Sequence, residues 1–430
     1  MKFLPKSNFW RNVFTLALGT GLAQLIPVLI SPILTNLYSP EDFGVYGLYF
    51  SCTMVLSVII CGRYEMAILL PEKDEERINL LILCLIIAVF IALFLFLIVY
   101  FLEDWFVSLL GNKSMKSQFI YIPISVFVIG VFQAMNYWVN IKKEYKQLSI
   151  SRVSRSFTTS ISGILLSSTI FKASGLILSD LLGQFISFIY LFNRIWKQTL
   201  QFHKHISINN IKNVAIRYKD FPLFNVASGL LDKASSHAPV FLLALFFTSR
   251  DAGFFALALR IVSAPVSLVS ISIGDVFRQE ASEAYIRDGS CHEIFMKTFK
   301  KLMVIAIPGF IIGFTVVKLL FIPVFGEKWA MAGQYSEIMF LMFFLQFTLS
   351  PLSSMFIIAE KQNIDMRANI ILFVMCILAF CLAKFYFDSS LLAVFFYSFL
   401  FSLKYIVQFS FSIRYSKGDD YFCELKSIQE

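Results

Sequence analysis

The sequence predicts an all-α, polytopic membrane protein of about twelve transmembrane helices. The helices are expected as two six-helix bundles related by a pseudo-two-fold axis along the membrane normal. Three observations carry this: an excess of apolar residues, the spacing of the apolar runs, and the sidedness of lysine and arginine. Of 430 residues, 58% are apolar and 15% charged, against about 25% charged in soluble chains. Mean hydropathy is +0.73. Twelve spans of roughly 20 to 23 residues would take up about 240 to 276 residues, close to the apolar share. A soluble enzyme, a nucleic-acid-binding domain and a disordered chain are all poor fits, because too little polar surface is available to keep a domain of this size dissolved. The net charge of +9 therefore reads as a question of sidedness rather than as a nucleic-acid partner.

The spans follow in order. The run 12–36 is too long for the core of a cleaved leader, and more spans follow, so it reads as a retained first helix. The next runs are 43–70, 78–102 and 118–140. The fifth, 153–171, is the least apolar: Ser151 to Ser168 is rich in Ser and Thr, with Arg152 and Arg155 at its start. Small hydroxyl residues suit a helix packed closely among neighbours. The sixth span, 175–196, leads into the longest polar stretch, Lys197 to Asp220. Asp220-Phe221-Pro222 then opens the seventh span, 221–247, with an Asp to cap and a Pro in the first turn. The remaining runs are 253–276, 301–325, 335–358, 368–387 and 390–413. With the N-terminus in the cytoplasm and Arg63, Arg155, Arg194, Lys301, Lys318 and Lys384 counted with the segments adjoining their spans, 27 of the 37 lysines and arginines fall in cytoplasmic segments, 7 in outer ones and 3 (Lys233, Arg260 and Lys404) inside spans. That bias follows the positive-inside rule and places both termini in the cytoplasm. The expected division is 1–196 as one bundle, 197–220 as a cytoplasmic linker and 221–430 as the second bundle.

An internal repeat supports two halves. Leu37 to Leu48 reads LYSPEDFGVYGL, and 209 residues later Phe246 to Leu257 reads FFTSRDAGFFAL. Asp42 falls on Asp251, Gly44 on Gly253 and Ser39 on Thr248. Each copy sits at the outer turn between the first two spans of its half. Six spans separate the copies, so the halves share one orientation, as in a parallel repeat. No outer loop is long, and little protein lies outside the bilayer. A membrane enzyme acting on lipid-linked sugars would need a folded domain for its donor and its acids, so the bundle itself is the working part. The seven cysteines, mostly in apolar runs, read as small hydrophobes. The four histidines and the cysteines show no metal-ligand spacing, so no metal and no cofactor are expected.

Several stretches resemble one family. LYSPEDFGVYGLY (Leu37 to Tyr49), GRYEMAILLPEKDEE (Gly62 to Glu76), YKDFPLFN (Tyr218 to Asn225), GEKWAMAGQY (Gly326 to Tyr335) and SPLSSMF (Ser350 to Phe356) resemble, in order, segments of bacterial polysaccharide-export flippases. These are the O-antigen or capsule members of the superfamily that also holds multidrug exporters and peptidoglycan-precursor flippases. The resemblance implies two six-helix bundles around a cavity that opens alternately to each side of the bacterial inner membrane. The implied cargo is an oligosaccharide on a polyprenyl (undecaprenyl) diphosphate, handed onward to a polysaccharide polymerase and its chain-length machinery. It implies no catalytic residue, because no bond changes.

Such a task sets physical requirements. Each unpaired hydroxyl in hydrocarbon costs several kcal/mol, so a glycan head group needs a polar path. An intramembrane charge costs about 2.5 to 3.5 kcal/mol on insertion scales and usually faces a partner or a cavity. Lys233 and Arg260 are the expected diphosphate-binding residues, with Arg63 and Lys404 near the cytoplasmic mouth. Gln24, Asn136 and Asn225 are expected to bond sugar hydroxyls. Glu65, Asp180, Asp232 and Asp275 are candidates for coupling to H⁺ or Na⁺. Arg63 with Glu65 also reads as an interfacial pair, and Lys404 as a snorkelling side chain. His237, four residues from Lys233, and Gln184 and Gln408 share faces with these charges. The alternative reading is a cation-coupled exporter, although the deep charges are mainly basic.

Overall fold

The computed structural model describes residues 8–110, 116, 118–199, 205–359 and 361–418. The all-α class holds: among these residues every regular element is helical. Two compact units are present, residues 1–253 and 254–430. Among the described residues, eight helices are long and apolar enough to cross a membrane. The chain is a multi-pass membrane protein.

In the first unit, α6 (Tyr145–Leu166) lies between α1 (Asn8–Leu37) and α7 (Gly175–Thr199). Helix α5 (Tyr121–Ile141) packs on α7 and on α4 (Asp74–Leu110), and α9 (Val226–Phe246) packs on α2 (Pro40–Leu56). Helix α4 turns Phe90, Phe94, Tyr100 and Phe101 outward, as expected of a lipid-facing span. Asp74 in its first turn is held by Arg77 at 2.8 Å and by Lys142 from the end of α5.

Helix α6 shows how a hydroxyl-rich sequence packs among apolar helices. Ser149, Ser151, Ser154 and Ser162 each donate to a carbonyl three or four residues earlier. The hydroxyls are thus satisfied within the helix and need no water. Ser156 instead reaches α1, donating to the Ala23 carbonyl at 2.6 Å. That carbonyl is free because the residue four positions on is Pro27, which has no N–H to give it.

Two expectations are corrected here. The fifth span begins eight residues earlier than 153, at Tyr145, so Arg152 and Arg155 lie two to three turns inside α6 and not at its cytoplasmic start. Hydropathy missed the first turns because Lys146, Gln147 and Arg152 lower it there, together with Ser149 and Ser151. The second span is not one helix over 43–70. Helix α2 stops at Leu56, and Gly62 and Arg63 both take left-handed φ, 59° and 61°, before the short α3 (Tyr64–Ala67). Two consecutive left-handed residues end any α-helix.

In the second unit, α10 (Ser249–Asp288), which begins at the close of the first unit, is followed by α11 (His292–Phe325), α12 (Ala330–Leu349), α13 (Met355–Ile358), α14 (Gln362–Phe385) and α15 (Ser390–Ser416). Helix α12 packs on α11 and α15. Phe310 meets Phe340, Phe344 and Phe347 edge-on, a geometry that aromatic quadrupoles favour. The start of α11 is tied to the end of α15: Cys291 N–H donates to the Ser416 carbonyl at 2.9 Å, and His292 Nδ1 lies 2.9 Å from Ser416 Oγ. Burial pushes the Cys291 thiol up to about 11.

Candidate functional site

The repeated turn is built twice in the same way. Ser39 caps α2: its hydroxyl accepts from Asp42 N–H at 3.2 Å, and Asp42 accepts from Ser39 N–H at 2.9 Å. At the start of α10, Thr248 accepts from Asp251 N–H at 3.1 Å and donates to its carboxylate at 2.5 Å. The two turns meet. A Cβ on Gly44 would overlap the Ser249 carbonyl, and one on Gly253 would overlap the Pro40 carbonyl. Glu41 and Arg250 pair at 3.5 Å. Every partner is displaced by the same 209 residues, so the contact is reciprocal.

A buried polar group joins α6 and α7. Asp180, 4% exposed, is paired with Arg155 Nη2 at 3.2 Å and accepts from Gln184 Nε2 at 2.9 Å. Gly183 lets the helices approach, since a Cβ there would overlap Thr159 Oγ1. Thr159 Oγ1 and Gln184 Oε1 are buried without a hydrogen-bond partner. Nearby, Tyr49 on α2 is hydrogen-bonded to Ser125 on α5. Arg152, one turn before Arg155, donates to Thr20 of α1 at 2.7 Å. The group thus gathers two arginines, a carboxylate and two unpartnered oxygens within the first unit.

A second group forms where α2 breaks. Arg63 Nη1 stands 3.8 Å from Glu65 Oε1, with Glu65 2% exposed and its Oε2 unpartnered. The Arg63 guanidinium lies over Gly229 of α9, where any Cβ would collide with it. Further along α9, Lys233 is half-buried and Asp232 exposed. His237 Nδ1 is 3.2 Å from Ser51 Oγ, and its ring sits edge-on to Phe50.

In the second unit, Lys404 lies over the rings of Phe401 and Tyr405 at 5.6 and 5.9 Å, a cation–π seat. Gln408 donates to Asp365 at 2.5 Å, and Asn369 donates to the same carboxylate at 3.3 Å. Arg260, Gln24, Asn136 and Asn225 are half-buried on α10, α1, α5 and the turn before α9. The Asp275 side chain lies outside the described residues.

The structure thus joins Arg63 to Glu65, and Asp180 to Gln184. Sequence reasoning missed Arg152, Arg155 and Asp365. Arg155 was detectable as a strong base within a neighbouring span, but only with the true start of α6. Among the described residues, no three His, Cys, Asp or Glu side chains converge as a metal set.

A sequence profile described as polysaccharide biosynthesis protein matches residues 33–333. No curated protein matches the chain. Among solved structures, the chain is similar to a lipid II flippase, MurJ, in an inward closed conformation (13% identity, 93% of this chain and 87% of that one, TM-score 0.75). It is also similar to an inward-facing multidrug resistance MATE family transporter of the MOP superfamily (16% identity, 96% of each chain, TM-score 0.64). A third is a MOP superfamily transporter from Pyrococcus furiosus described as having reverse polarity in its binding pocket (13% identity, 94% of this chain and 96% of that one, TM-score 0.58).

Proposed function

Because the chain belongs to the polysaccharide biosynthesis protein family, we propose that it is a flippase for polyprenyl-diphosphate-linked oligosaccharide repeat units. It carries them by alternating access from the cytoplasmic to the outer leaflet of the bacterial inner membrane, for O-antigen, capsule or another surface polymer. Both termini are cytoplasmic, residues 1–196 and 221–430 act as the two bundles, and 197–220 links them. The observation that carries the reading is the Arg155–Asp180–Gln184 group with Arg152, deep in a unit of membrane helices. Such groups are costly there, and a cargo with many hydroxyls and two phosphates supplies a reason to keep them.

In this reading Lys233 and Arg260 draw in the diphosphate, and Arg63 and Lys404 serve the cytoplasmic mouth. Gln24, Asn136 and Asn225 bond sugar hydroxyls. Asp180, Glu65, Asp232 and Asp275 are the carboxylates available to H⁺ or Na⁺. No bond is made or broken, so the protein is not an enzyme; the product passes to a polymerase with its chain-length machinery. The second reading, a cation-coupled exporter of small molecules, is favoured by the fold it shares with a multidrug transporter and by the buried Asp180.

Deletion of the gene separates the two. A flippase leaves single complete repeat units on their lipid carrier at the inner leaflet; an exporter leaves the lipid-linked pool unchanged and alters drug sensitivity. Lys233→Ala with Arg260→Ala should abolish surface glycan while the protein still reaches the membrane. Normal glycan export by that double variant would sink the assignment of these two residues.

A further inference from the structure

Helix α8 (Ile208–Arg217) presents three different faces. One packs inward through Val214 and Tyr218, both buried, with Tyr64 of α3 donating to the Ala215 carbonyl at 2.9 Å. The second lines a cleft of about 300 Å³ with Lys73, Glu75, Glu76 and Asn79 of the α4 start, contributing Asn210, Asn213 and Arg217. Arg217 and the Tyr218 hydroxyl both reach Glu76, at 2.8 and 3.0 Å, and His205 reaches Glu75 at 3.2 Å. These bonds fix how α8 is turned.

The third face is uncovered. At about 100° per residue, Ile208, Lys212 and Ile216 fall within an arc of roughly 80°. The regular helix ends at Arg217, and Lys219, two residues on, is exposed beside Ile216, its N–H bonded to the Ile216 carbonyl at 3.4 Å. Ile208 is 85% and Ile216 57% exposed, and both lysines are exposed. Leu223, just beyond, is also exposed.

Depth identifies the occupant. The charged turn Asp74 to Arg77 precedes the unbroken apolar run from Leu80 to Leu102, so the start of α4 marks the edge of the hydrocarbon. Helix α8 is tied to that turn and so lies at headgroup level. Two isoleucines flanked by two lysines match an interfacial helix, whose apolar side chains enter the acyl boundary while its lysines meet phosphates.

We propose that the Ile208–Lys212–Ile216–Lys219 face of α8 binds anionic phospholipid headgroups of the leaflet on its side of the membrane. The proposal does not depend on what the protein transports.

Hydrogen–deuterium exchange on the full chain in nanodiscs tests it. One nanodisc contains phosphatidylcholine alone; the other replaces about one-third of it with phosphatidylglycerol. Amides of 208–219 should exchange more slowly with phosphatidylglycerol, by about fivefold for each lysine engaged. Lys212→Gln with Lys219→Gln should remove that difference, and Lys212→Arg with Lys219→Arg should keep it. Equal exchange in the two nanodiscs would overturn the proposal, and so would a phosphatidylglycerol effect that survives the glutamine pair. Both lysines are exposed, so neither pair disturbs the packed face.

Discussion

Pro27 and Ser156 form one unit although they lie on different helices. The proline removes a donor, and the serine hydroxyl supplies a replacement at 2.6 Å. Ser156→Ala should destabilise the protein by about 1 kcal/mol, because a buried carbonyl in a membrane helix is left unpaired. Pro27→Ala restores the helical N–H and should cancel most of that loss in the double variant. Thermal unfolding of the four proteins in detergent checks this, and independent, additive losses would refute it. Cys291 makes a second prediction at this scale. With its thiol pushed up to about 11 by burial, little thiolate exists at pH 8, since thiols normally titrate near 8.5. Alkylation should therefore be roughly a hundredfold slower than for an exposed cysteine, and should rise with pH through 9 and 10. Quantitative labelling by iodoacetamide followed by mass spectrometry measures it.

At the scale of elements, the two capped turns make the sharpest case. Gly44 and Gly253 are each required by a carbonyl of the other turn, not by their own backbone angles. Gly44→Val and Gly253→Val should each destabilise the protein by about 1 to 3 kcal/mol through overpacking. The reciprocal geometry predicts similar losses at the two sites, read as falls in melting temperature. A harmless Val at either would show that the helix starts are free to separate. The same scale shows where sequence reading succeeds and fails. Long apolar runs such as 78–102 and 390–413 were legible because nothing competes with their hydropathy. The start of α6 was not, because Lys146, Gln147 and Arg152 depress hydropathy there and Ser149 and Ser151 hide their hydroxyls in their own helix. The break after Leu56 was not legible either: Gly62 hints at it, but a left-handed Arg63 leaves no mark in composition. Asp180 with Gln184 was legible from its four-residue spacing. Its partner Arg155 was not, since that pairing depends on two helices meeting at Gly183.

For the whole molecule, cargo and energy source are separable questions. If Asp180 couples transport to a cation, Asp180→Asn should abolish uptake driven by a pH or Na⁺ gradient in vesicles. It should leave the variant folded, because the amide keeps the shape and a bond to Gln184. Gradient-driven transport undiminished in Asp180→Asn would move the coupling role elsewhere. The match of a family profile over 33–333, together with the shared fold of a flippase and a multidrug transporter, leaves cargo to be decided by side chains. Here the polar ones sit on α7, and on α6 and α9, which are not among the eight helices apolar enough to cross a membrane among the described residues.

The seat formed by Gly44 and Gly253 has the form of an isologous interface, in which one patch meets its own duplicate and each supplies what the other needs. Because both patches belong to one polypeptide, tethering keeps their local concentration high and independent of dilution. A junction of this kind needs no strong intrinsic affinity.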